Sequence, residues 1–551
     1  MPHINLRRGG RYIKTLKKYI LNGIILSCTS LCIRGASVIF NAYLTSRIGG
    51  EGIGLITLLG GVYGFFITLA TSGISLAVTR LVSSCYNEDT SEKCDLVCKK
   101  RVRSILKNGI VYSAIFSISA SVVLFVSAEN IGARLLNDER TVISLRALAL
   151  SLTPISVGSA LNGYFNGVRR VYKTVFVQVL EQAVKISLSI IILTFVMPSR
   201  VEYACLTVIC AGVISELMGL VFSALLYCFD FKKHTKNAST LLKTGRKTEE
   251  LKNNECDFNT VFSLAFPLGV SGYVRSLLST VEHIAIPWGL KKSGGANPLS
   301  SYGILHGVVF PLLLFPSAVL NAFSSLLIPE LSASQSKMDL SSIRKTVSSV
   351  ISLSLLFSLG VSGILISYSY EIGYFLYGSE EAGEYIRILS PLIPLMYLDN
   401  SVDCMLKGLG EQMYCMRINI IDSLISIVLI FTLLPAYGIR GYVAVIFITE
   451  LFNTAFSLLR LIKVTKVPVP YVKWVFKPLL SIILATALAR LMFKGYLVAV
   501  LNGTSPLLKR VIIFEIAITS FAYLLLCVAI GTVLTSVIKH LIKKLKNRTR
   551  V

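Results

Sequence analysis

Two membrane-length apolar segments follow each other near the N-terminus. Residues 27–84 read SCTSLCIRGASVIFNAYLTSRIGGEGIGLITLLGGVYGFFITLATSGISLAVTRLVSS. Arg34 lies near the middle of the first segment, where an arginine costs about 2.5–3.5 kcal/mol on membrane-insertion scales. We therefore expect its guanidinium to face a protein interior or a watery cavity rather than lipid.

The polar residues around Arg34 share one face of the predicted helix. They recur at intervals of three or four residues, which is the spacing of neighbours along a helix surface. The positions are Ser27, Ser30, Arg34, Ser37, Asn41 and Thr45. This polar stripe indicates that the first helix lines a water-accessible space.

The composition of the whole chain identifies its broad class. Of its 551 residues, 54% are hydrophobic and only 15% are charged, and the mean hydropathy is +0.69. Such a chain is an all-α, polytopic membrane protein. Fourteen segments are candidate spans, near residues 20–47, 53–80, 105–127, 143–165, 174–197, 203–228, 260–288, 302–328, 347–369, 385–406, 415–434, 440–460, 474–498 and 510–537.

The net charge is +26, and the Lys and Arg residues are distributed regularly among the segments that connect the spans. With the N-terminus inside, about 38 of the Lys and Arg residues fall on one side, which the positive-inside rule assigns to the cytoplasm. We therefore expect a multi-pass protein of the cytoplasmic membrane with both termini cytoplasmic. The basic segments then orient the protein and contact anionic lipid headgroups, so a nucleic-acid partner is not expected.

Two halves of the chain resemble each other. SLTPISVGSALNGYFNG at 151–167 is similar to SPLIPLMYLDNSVDCMLKGLG at 390–410, and ISEL at 214–217 is similar to ITEL at 448–451. These echoes predict two pseudo-symmetric lobes of six spans, as in transporters built from parallel repeats. In chain order, the predicted parts are an N-lobe at 1–230, a basic cytoplasmic linker at 231–257, a C-lobe at 258–462, and two further spans with a basic tail at 463–551.

The candidate binding residues lie on polar faces of the first and seventh spans. Arg275 and Glu282 form the counterpart of the Arg34 stripe, to which Ser37 and Asn41 also belong. A guanidinium keeps its charge when buried and binds phosphate oxygens in bidentate fashion, so two arginines across a cavity suit a diphosphate headgroup. Glu282 is expected to hold an arginine when no substrate is bound.

A second group consists of carboxylates within the spans, which serve either as interhelical clasps or as sites for a coupling H⁺ or Na⁺. Its members are Glu181, Glu216, Asp422, Glu450, Asp399 and Asp403. Three of them have a structural alternative. Glu181 and Lys185 have the spacing of an intrahelical ion pair. Asp399 and Asp403 are one turn apart with Lys407 another turn on, so these three can neutralise each other along one face.

Several site classes are not supported by the sequence. The chain has no G-x-x-x-x-G-K-[ST] phosphate loop, so we expect no ATP hydrolysis. Cys85, Cys94 and Cys98 are not accompanied by a fourth ligand at a zinc-finger spacing, so we expect reduced cysteines and no metal or other cofactor. An enzyme of this composition would need its active site inside the membrane, and we expect a transporter instead.

Two regions carry a resemblance to a known family. SRIGGEGIGL at 46–55, SGISLAVTRLVSS at 72–84 and FPLGVSGYVRSLLSTVEHIAIPWGL at 266–290 resemble the stage V sporulation protein B branch of the multidrug/oligosaccharidyl-lipid/polysaccharide exporter superfamily. The resemblance implies a fold like that of lipid II flippases, with two six-helix lobes and two additional helices. It also implies that the cargo is a polyprenyl-diphosphate-linked sugar, such as a peptidoglycan precursor for the spore cortex, with cell-wall synthesis proteins as partners.

Two other functions stay open at this point. A drug or cation antiporter of the same superfamily would use carboxylates such as Glu282 and Asp422 to exchange protons or sodium. An intramembrane glycosyltransferase or polymerase would form a product in detergent, whereas a flippase would form none.

Overall fold

The computed structural model describes most of the chain. The described residues are 4–87, 95–168, 170–195, 200–239, 257–295, 297–336, 338–468, 470, 472–501 and 506–530. Most of the predicted basic linker and the basic tail from residue 531 onward lie outside them. The described residues are 93% helical and contain no strand, which confirms the all-α fold class.

Within its described residues, the first half of the chain forms seven α-helices. They are α1 (Ile4–Thr71), α2 (Ile74–Asn87), α3 (Asp95–Glu129), α4 (Thr141–Gly167), α5 (Val171–Phe195), α6 (Val201–Ser239) and α7 (Phe258–Lys292). A π-helical turn, Asn130–Leu135, follows α3.

The part of the second half that the structure describes contains ten more α-helices. They are α8 (Pro298–Gly303), α9 (Phe310–Leu314), α10 (Ser317–Ser336), α11 (Leu340–Ser367), α12 (Ser369–Tyr377), α13 (Glu380–Leu389), α14 (Ile393–Gly408), α15 (Gln412–Thr465), α16 (Lys477–Leu501) and α17 (Pro506–Ala529). Two π-helical segments, Ile304–Val309 and Val472–Phe476, and a 3₁₀ turn, Ser390–Leu392, lie between them.

Two of these helices are long because each contains a sharp change of direction at a glycine. In α1 the backbone of Gly49 has φ 70° and ψ 178°, and in α15 that of Gly438 has φ 58° and ψ −135°. Residues with a Cβ rarely adopt such positive φ values. These glycines therefore allow the chain to turn where the sequence predicts the ends of successive spans.

Other helix boundaries follow from capping groups. The Asp339 carboxylate accepts a hydrogen bond from the Ser342 amide (3.1 Å) at the start of α11. The Ser379 hydroxyl accepts one from the Ala382 amide (3.2 Å) at the start of α13. Gly378, in the left-handed conformation, ends α12. These caps explain why the chain between α11 and α14 forms two short helices that the hydropathy pattern did not predict.

Ten helical segments among the described residues are long and apolar enough to cross a membrane. Two of them, Cys28–Cys85 and Gln412–Thr465, contain 58 and 54 residues, more than twice the roughly 20 that a bilayer requires. The protein is thus a multi-pass membrane protein, and the count of fourteen spans stays a prediction.

The described residues divide into two compact units by their contacts. The first unit comprises those within Met1–Thr29, Ile48–Lys291 and Asn297–Gly303, and the second comprises those within Ser30–Arg47, Lys292–Ala296 and Ile304–Val551. The segment that contains Arg34 therefore belongs to the second unit, and α7 with Arg275 belongs to the first. The predicted lobe boundaries at 1–230 and 258–462 stay a prediction.

Each unit has its own apolar core. In the first unit, α2, α3 and α4 pack through buried side chains such as Ile74, Tyr112 and Phe165. In the second unit, α11, α14 and the end of α15 pack around Val347, Met405 and Leu461. The second core includes α14 and α15, the helices that carry Asp399, Asp403, Asp422 and Glu450.

Candidate functional site

Arg34 lies on α1 in the second unit, and its guanidinium is exposed. Its Nη1 donates to the carbonyl oxygen of Leu314 (3.4 Å) and to Ser317 Oγ (3.5 Å). The Leu314 carbonyl is available because the helix breaks between α9 and α10 at Pro316, where the Ala318 amide donates to Phe315 instead. No carboxylate lies within salt-bridge distance of this guanidinium in the described part of the chain. Arg34 is therefore positioned by neutral oxygens that leave its charge available.

The other members of the Arg34 stripe make structural hydrogen bonds. Ser37 Oγ donates to the Ile33 carbonyl (2.9 Å) in its own helix. Asn41 Nδ2 donates to the Gly307 carbonyl (2.7 Å) in the π-helical segment Ile304–Val309. Since a π-helical turn leaves backbone groups in unusual positions, Asn41 ties α1 to an irregular part of the neighbouring helix. The predicted contact of Ser37 and Asn41 with substrate stays a prediction.

Arg275 lies on α7 in the first unit, and it is also exposed. Its neighbour Ser276 accepts a hydrogen bond from Thr68 Oγ1 (3.1 Å), and Thr280 Oγ1 donates to the Gly61 carbonyl (2.9 Å). These contacts hold one face of α7 against α1. Arg275 directly precedes Ser276, and its guanidinium contacts no carboxylate among the residues that the structure describes.

Glu282 and His283 follow on the same helix and are both half-buried. His283 Nδ1 lies 2.8 Å from the Tyr302 hydroxyl, so it forms a hydrogen bond to α8 within the first unit. The prediction that Glu282 holds an arginine is not tested by these contacts and stays a prediction.

A carboxylate group in the first unit differs from the arrangement that its spacing predicts. Glu181 and Lys185 on α5 form no ion pair, although they are four residues apart. Lys185 instead interacts electrostatically with Glu216 on α6. The Glu181 carboxylate lies directly against the backbone of Gly219 on α6, where a Cβ would stand 1.8 Å from Oε1. The predicted intrahelical pair is therefore wrong, because packing against α6 determines where both side chains lie.

Another carboxylate group lies in the second unit, where α14 meets both halves of α15. Asn453 Nδ2 donates to Asp399 Oδ2 (3.1 Å) and to Asn419 Oδ1 (3.4 Å). Asp422 and Glu450 are each one helical turn from these carboxamides, and Glu450 interacts electrostatically with Asp399 and Asp422. Three carboxylates and two carboxamides thus share one interior region.

Asp403 belongs to a different arrangement. Its Oδ2 accepts a hydrogen bond from Lys407 Nζ at 3.2 Å, in an ion pair one turn along α14. Lys407 therefore neutralises Asp403 as predicted, whereas Asp399, expected in the same group, accepts a hydrogen bond from Asn453. In the part of the chain that the structure describes, no group of three His, Cys, Asp or Glu residues is arranged to hold a metal ion.

Three residues near these sites were missed by the sequence analysis. Asn419 and Asn453 complete the Asp399 group, and Ser317 contacts Arg34. A search for polar residues one turn from each candidate carboxylate would have found the two asparagines, since Asn453 is three residues beyond Glu450 and Asn419 is three before Asp422.

Comparisons with known proteins agree on one superfamily. The polysaccharide biosynthesis protein family matches residues 20–335, which is more than half of the chain, and the MatE family matches residues 274–432. Stage V sporulation protein B of Bacillus subtilis (strain 168) is 27% identical over 77% of this chain and 80% of that protein. Lipid II flippase MurJ of the same organism is 23% identical over 67% of this chain and 68% of that protein.

Solved structures show the same fold. Lipid II flippase MurJ in an inward closed conformation superposes with a TM-score of 0.64, covering 92% of this chain and 98% of that chain at 14% identity. An inward-facing multidrug resistance MATE family transporter of the MOP superfamily superposes with a TM-score of 0.59, covering 80% and 100% at 15% identity. These likenesses confirm the predicted MATE/MurJ-like fold, and the family matches and curated relatives confirm the predicted resemblance.

Proposed function

Because the chain belongs to the polysaccharide biosynthesis protein family and is a transporter of the MOP superfamily, we propose that it moves a polyprenyl-diphosphate-linked glycan across the cytoplasmic membrane by alternating access. The proposed cargo is a peptidoglycan precursor used for the spore cortex. The names of the two curated relatives, a sporulation protein and a lipid II flippase, support this class of cargo. Cell-wall synthesis proteins are the proposed partners, and both termini are proposed to be cytoplasmic.

The observation that carries the proposal is the state of Arg34. Its guanidinium is exposed near the middle of an apolar segment and, among the residues that the structure describes, is held by neutral oxygens of Leu314 and Ser317. A mid-membrane charge without a carboxylate partner is costly, so it indicates an anionic ligand or a watery path. Arg275 in the first unit has the same character.

The diphosphate is the part of the cargo that such arginines suit. A planar guanidinium binds two phosphate oxygens at once, and a charge-assisted hydrogen bond contributes about 1.5–3 kcal/mol. Loss of one such contact corresponds to a decrease in affinity of roughly tenfold to a hundredfold. We therefore expect Arg34→Ala and Arg275→Ala each to lose most of the translocation activity.

The test uses the full chain reconstituted in liposomes with fluorescently labelled lipid II, and measures how much label crosses to the other leaflet. Arg146→Ala serves as the matched control, because Arg146 already pairs with Glu129 (3.7 Å). Arg34→Lys keeps the charge but not the bidentate geometry, so it is expected to keep only part of the activity. Full translocation by both alanine variants would refute the assignment.

A second candidate function is favoured by the Asp399 group and the MatE match. Carboxylates in the membrane can exchange H⁺ or Na⁺, and an antiporter would use them to export cationic compounds. The same liposomes distinguish a flippase from an antiporter. With an antiporter, an ion gradient would drive a cationic dye across the membrane, and labelled lipid II would stay in its original leaflet. New glycan product in either assay would instead indicate the intramembrane glycosyltransferase.

A further inference from the structure

A line of polar side chains continues from Arg34 along α10 in the second unit. Ser317, which contacts Arg34, is four residues before Asn321, so the two lie on one face of α10 about 6 Å apart. Asn321 Oδ1 accepts a hydrogen bond from Asn400 Nδ2 on α14 at 2.7 Å. The line therefore runs from the guanidinium to a pair of carboxamides on two helices.

The carboxamide pair lies at the surface of the second unit. Asn400 is exposed and Asn321 is half-buried, although both lie within segments that the sequence predicts to be spans, 385–406 and 302–328. A carboxamide facing hydrocarbon would leave its remaining hydrogen-bonding groups unsatisfied, which costs free energy. This placement indicates that the pair faces water or a polar ligand, as Arg34 does.

The helices behind the pair are fixed relative to each other. Ser401, next to Asn400, accepts a hydrogen bond from Ser324 Oγ (3.3 Å), and its hydroxyl lies 3.0 Å from Ser354 Oγ on α11. All three serines are buried. Tyr397 Oη also donates to the Leu313 carbonyl at 2.5 Å, next to the Arg34 contact. These hydrogen bonds hold the helices that carry the carboxamide pair and the residues that contact Arg34 in a fixed arrangement.

The hydrogen-bonding capacity of the pair suits a glycan better than a phosphate. Each carboxamide has two N–H donors and an oxygen with two lone pairs, and the contact between Asn321 and Asn400 uses one donor and one acceptor. Among the described contacts, the two side chains therefore still have N–H donors and oxygen lone pairs with which to bind a ligand. Sugar hydroxyl and acetamido groups also donate and accept, whereas a phosphate needs donors and positive charge.

We infer that Asn321 and Asn400 form a glycan-recognition subsite next to the diphosphate contact of Arg34. The inference rests on the proposed function and specifies which part of the cargo each side chain recognises. The arginine binds the diphosphate that all polyprenyl-linked precursors share, and the two asparagines select for the first sugar.

The experiment measures binding of two probes to the purified full chain in nanodiscs. One probe is lipid II, and the other is undecaprenyl diphosphate, which has no sugar. Asn400→Ala and Asn321→Ala should each lower the ratio of the lipid II affinity to the undecaprenyl diphosphate affinity by about fivefold to tenfold, as expected for one or two lost hydrogen bonds. Arg34→Ala should lower the affinities for both probes by the same factor and leave their ratio unchanged.

Gln335→Ala is the matched control, because Gln335 Nε2 also links α10 to the C-terminal end of α14 by donating to the carbonyl of Leu409, the residue after α14 (3.1 Å). It removes one carboxamide contact between the same two helices, far along α10 from Arg34, and should not change the ratio. Asn400→Gln keeps the carboxamide and should recover part of the selectivity.

The outcomes separate this inference from the proposed function. If Arg34→Ala weakens both probes while the asparagine variants leave the ratio as in wild type, the subsite is refuted and the diphosphate assignment stands. A lower melting temperature for the asparagine variants with an unchanged ratio also refutes the subsite, since it identifies a structural clasp. If Arg34→Ala binds both probes like wild type, the proposed function itself fails.

Discussion

Gly360 and Gly363 on α11 provide the surface on which the last two described helices pack, and a side chain at Gly360 should loosen them. A Cβ at Gly360 would stand 2.5 Å from Cε1 of Tyr523 on α17, and one at Gly363 would stand 2.3 Å from Cγ1 of Ile482 on α16. Both distances are shorter than carbon atoms tolerate. Gly360→Val therefore requires α17 to move away from α11.

The magnitude follows from how tightly the Tyr523 ring is held. Its side chain is 5% exposed, and its hydroxyl donates to the Leu356 carbonyl at 2.5 Å. The ring cannot turn aside without losing that hydrogen bond, so the cost lies at the upper end for overpacked sites, about 3 kcal/mol. A change of that size raises the population of locally open α17 by about a hundredfold.

Cys527 gives a direct measure of this opening. It lies on α17 in the same packed cluster as Tyr523 and Ile482 and is 0% exposed. In a variant whose other cysteines are replaced by serine, maleimide modification of Cys527 should be about a hundredfold faster with Gly360→Val than without it. The modification is followed by mass spectrometry of the full chain in nanodiscs.

Gly158→Ala is the control, because a Cβ at Gly158 on α4 has no atom within 4 Å. It should leave both the modification rate and the melting temperature unchanged or slightly raise the latter. If Gly360→Val is modified at the wild-type rate and melts at the same temperature, then α17 does not pack on α11 as described.

Two further substitutions test the roles of predicted site residues. Asn41→Ala removes the hydrogen bond to the Gly307 carbonyl, so it should lower the free energy of unfolding by about 1–3 kcal/mol, measured by thermal unfolding; a stable variant that has lost lipid II binding would instead support a substrate contact. Asp399→Asn removes a charge beside Asn453 and Glu450, so it should abolish any dependence of transport on a Na⁺ or H⁺ gradient in liposomes; an unchanged ion dependence would leave Asp399 as a structural clasp.

The membrane fold could be predicted from the sequence because bilayer thickness requires long apolar helices, and these are visible in composition alone. Helix lengths near residues 143–165 and 174–197 agree with α4 and α5. The short helices α12 and α13 could not be predicted this way, because their boundaries depend on local caps at Gly378 and Ser379 rather than on hydropathy.

Side-chain pairing was predicted well only where it is local. The Asp403 pair with Lys407 follows from spacing along one helix and is formed. The same rule failed for Glu181, because the absence of a side chain at Gly219 on another helix determines where that carboxylate lies. Asn321 and Asn400 are 79 residues apart in sequence and carry no charge, so a search for ionisable residues within spans could not find them.

The contrast among arginines explains why two of them are assigned to a ligand. Arg140 contacts Asp138 at 2.7 Å, and Arg460 and Arg490 contact glutamates at 2.9 Å. A carboxylate at that distance neutralises the guanidinium, so those arginines are accounted for by the fold. Arg34 is held by a carbonyl and a hydroxyl, which orient the side chain without cancelling its charge. An oriented but uncompensated guanidinium near the middle of an apolar segment is most stable when an anion is bound, which is the property required of a diphosphate contact.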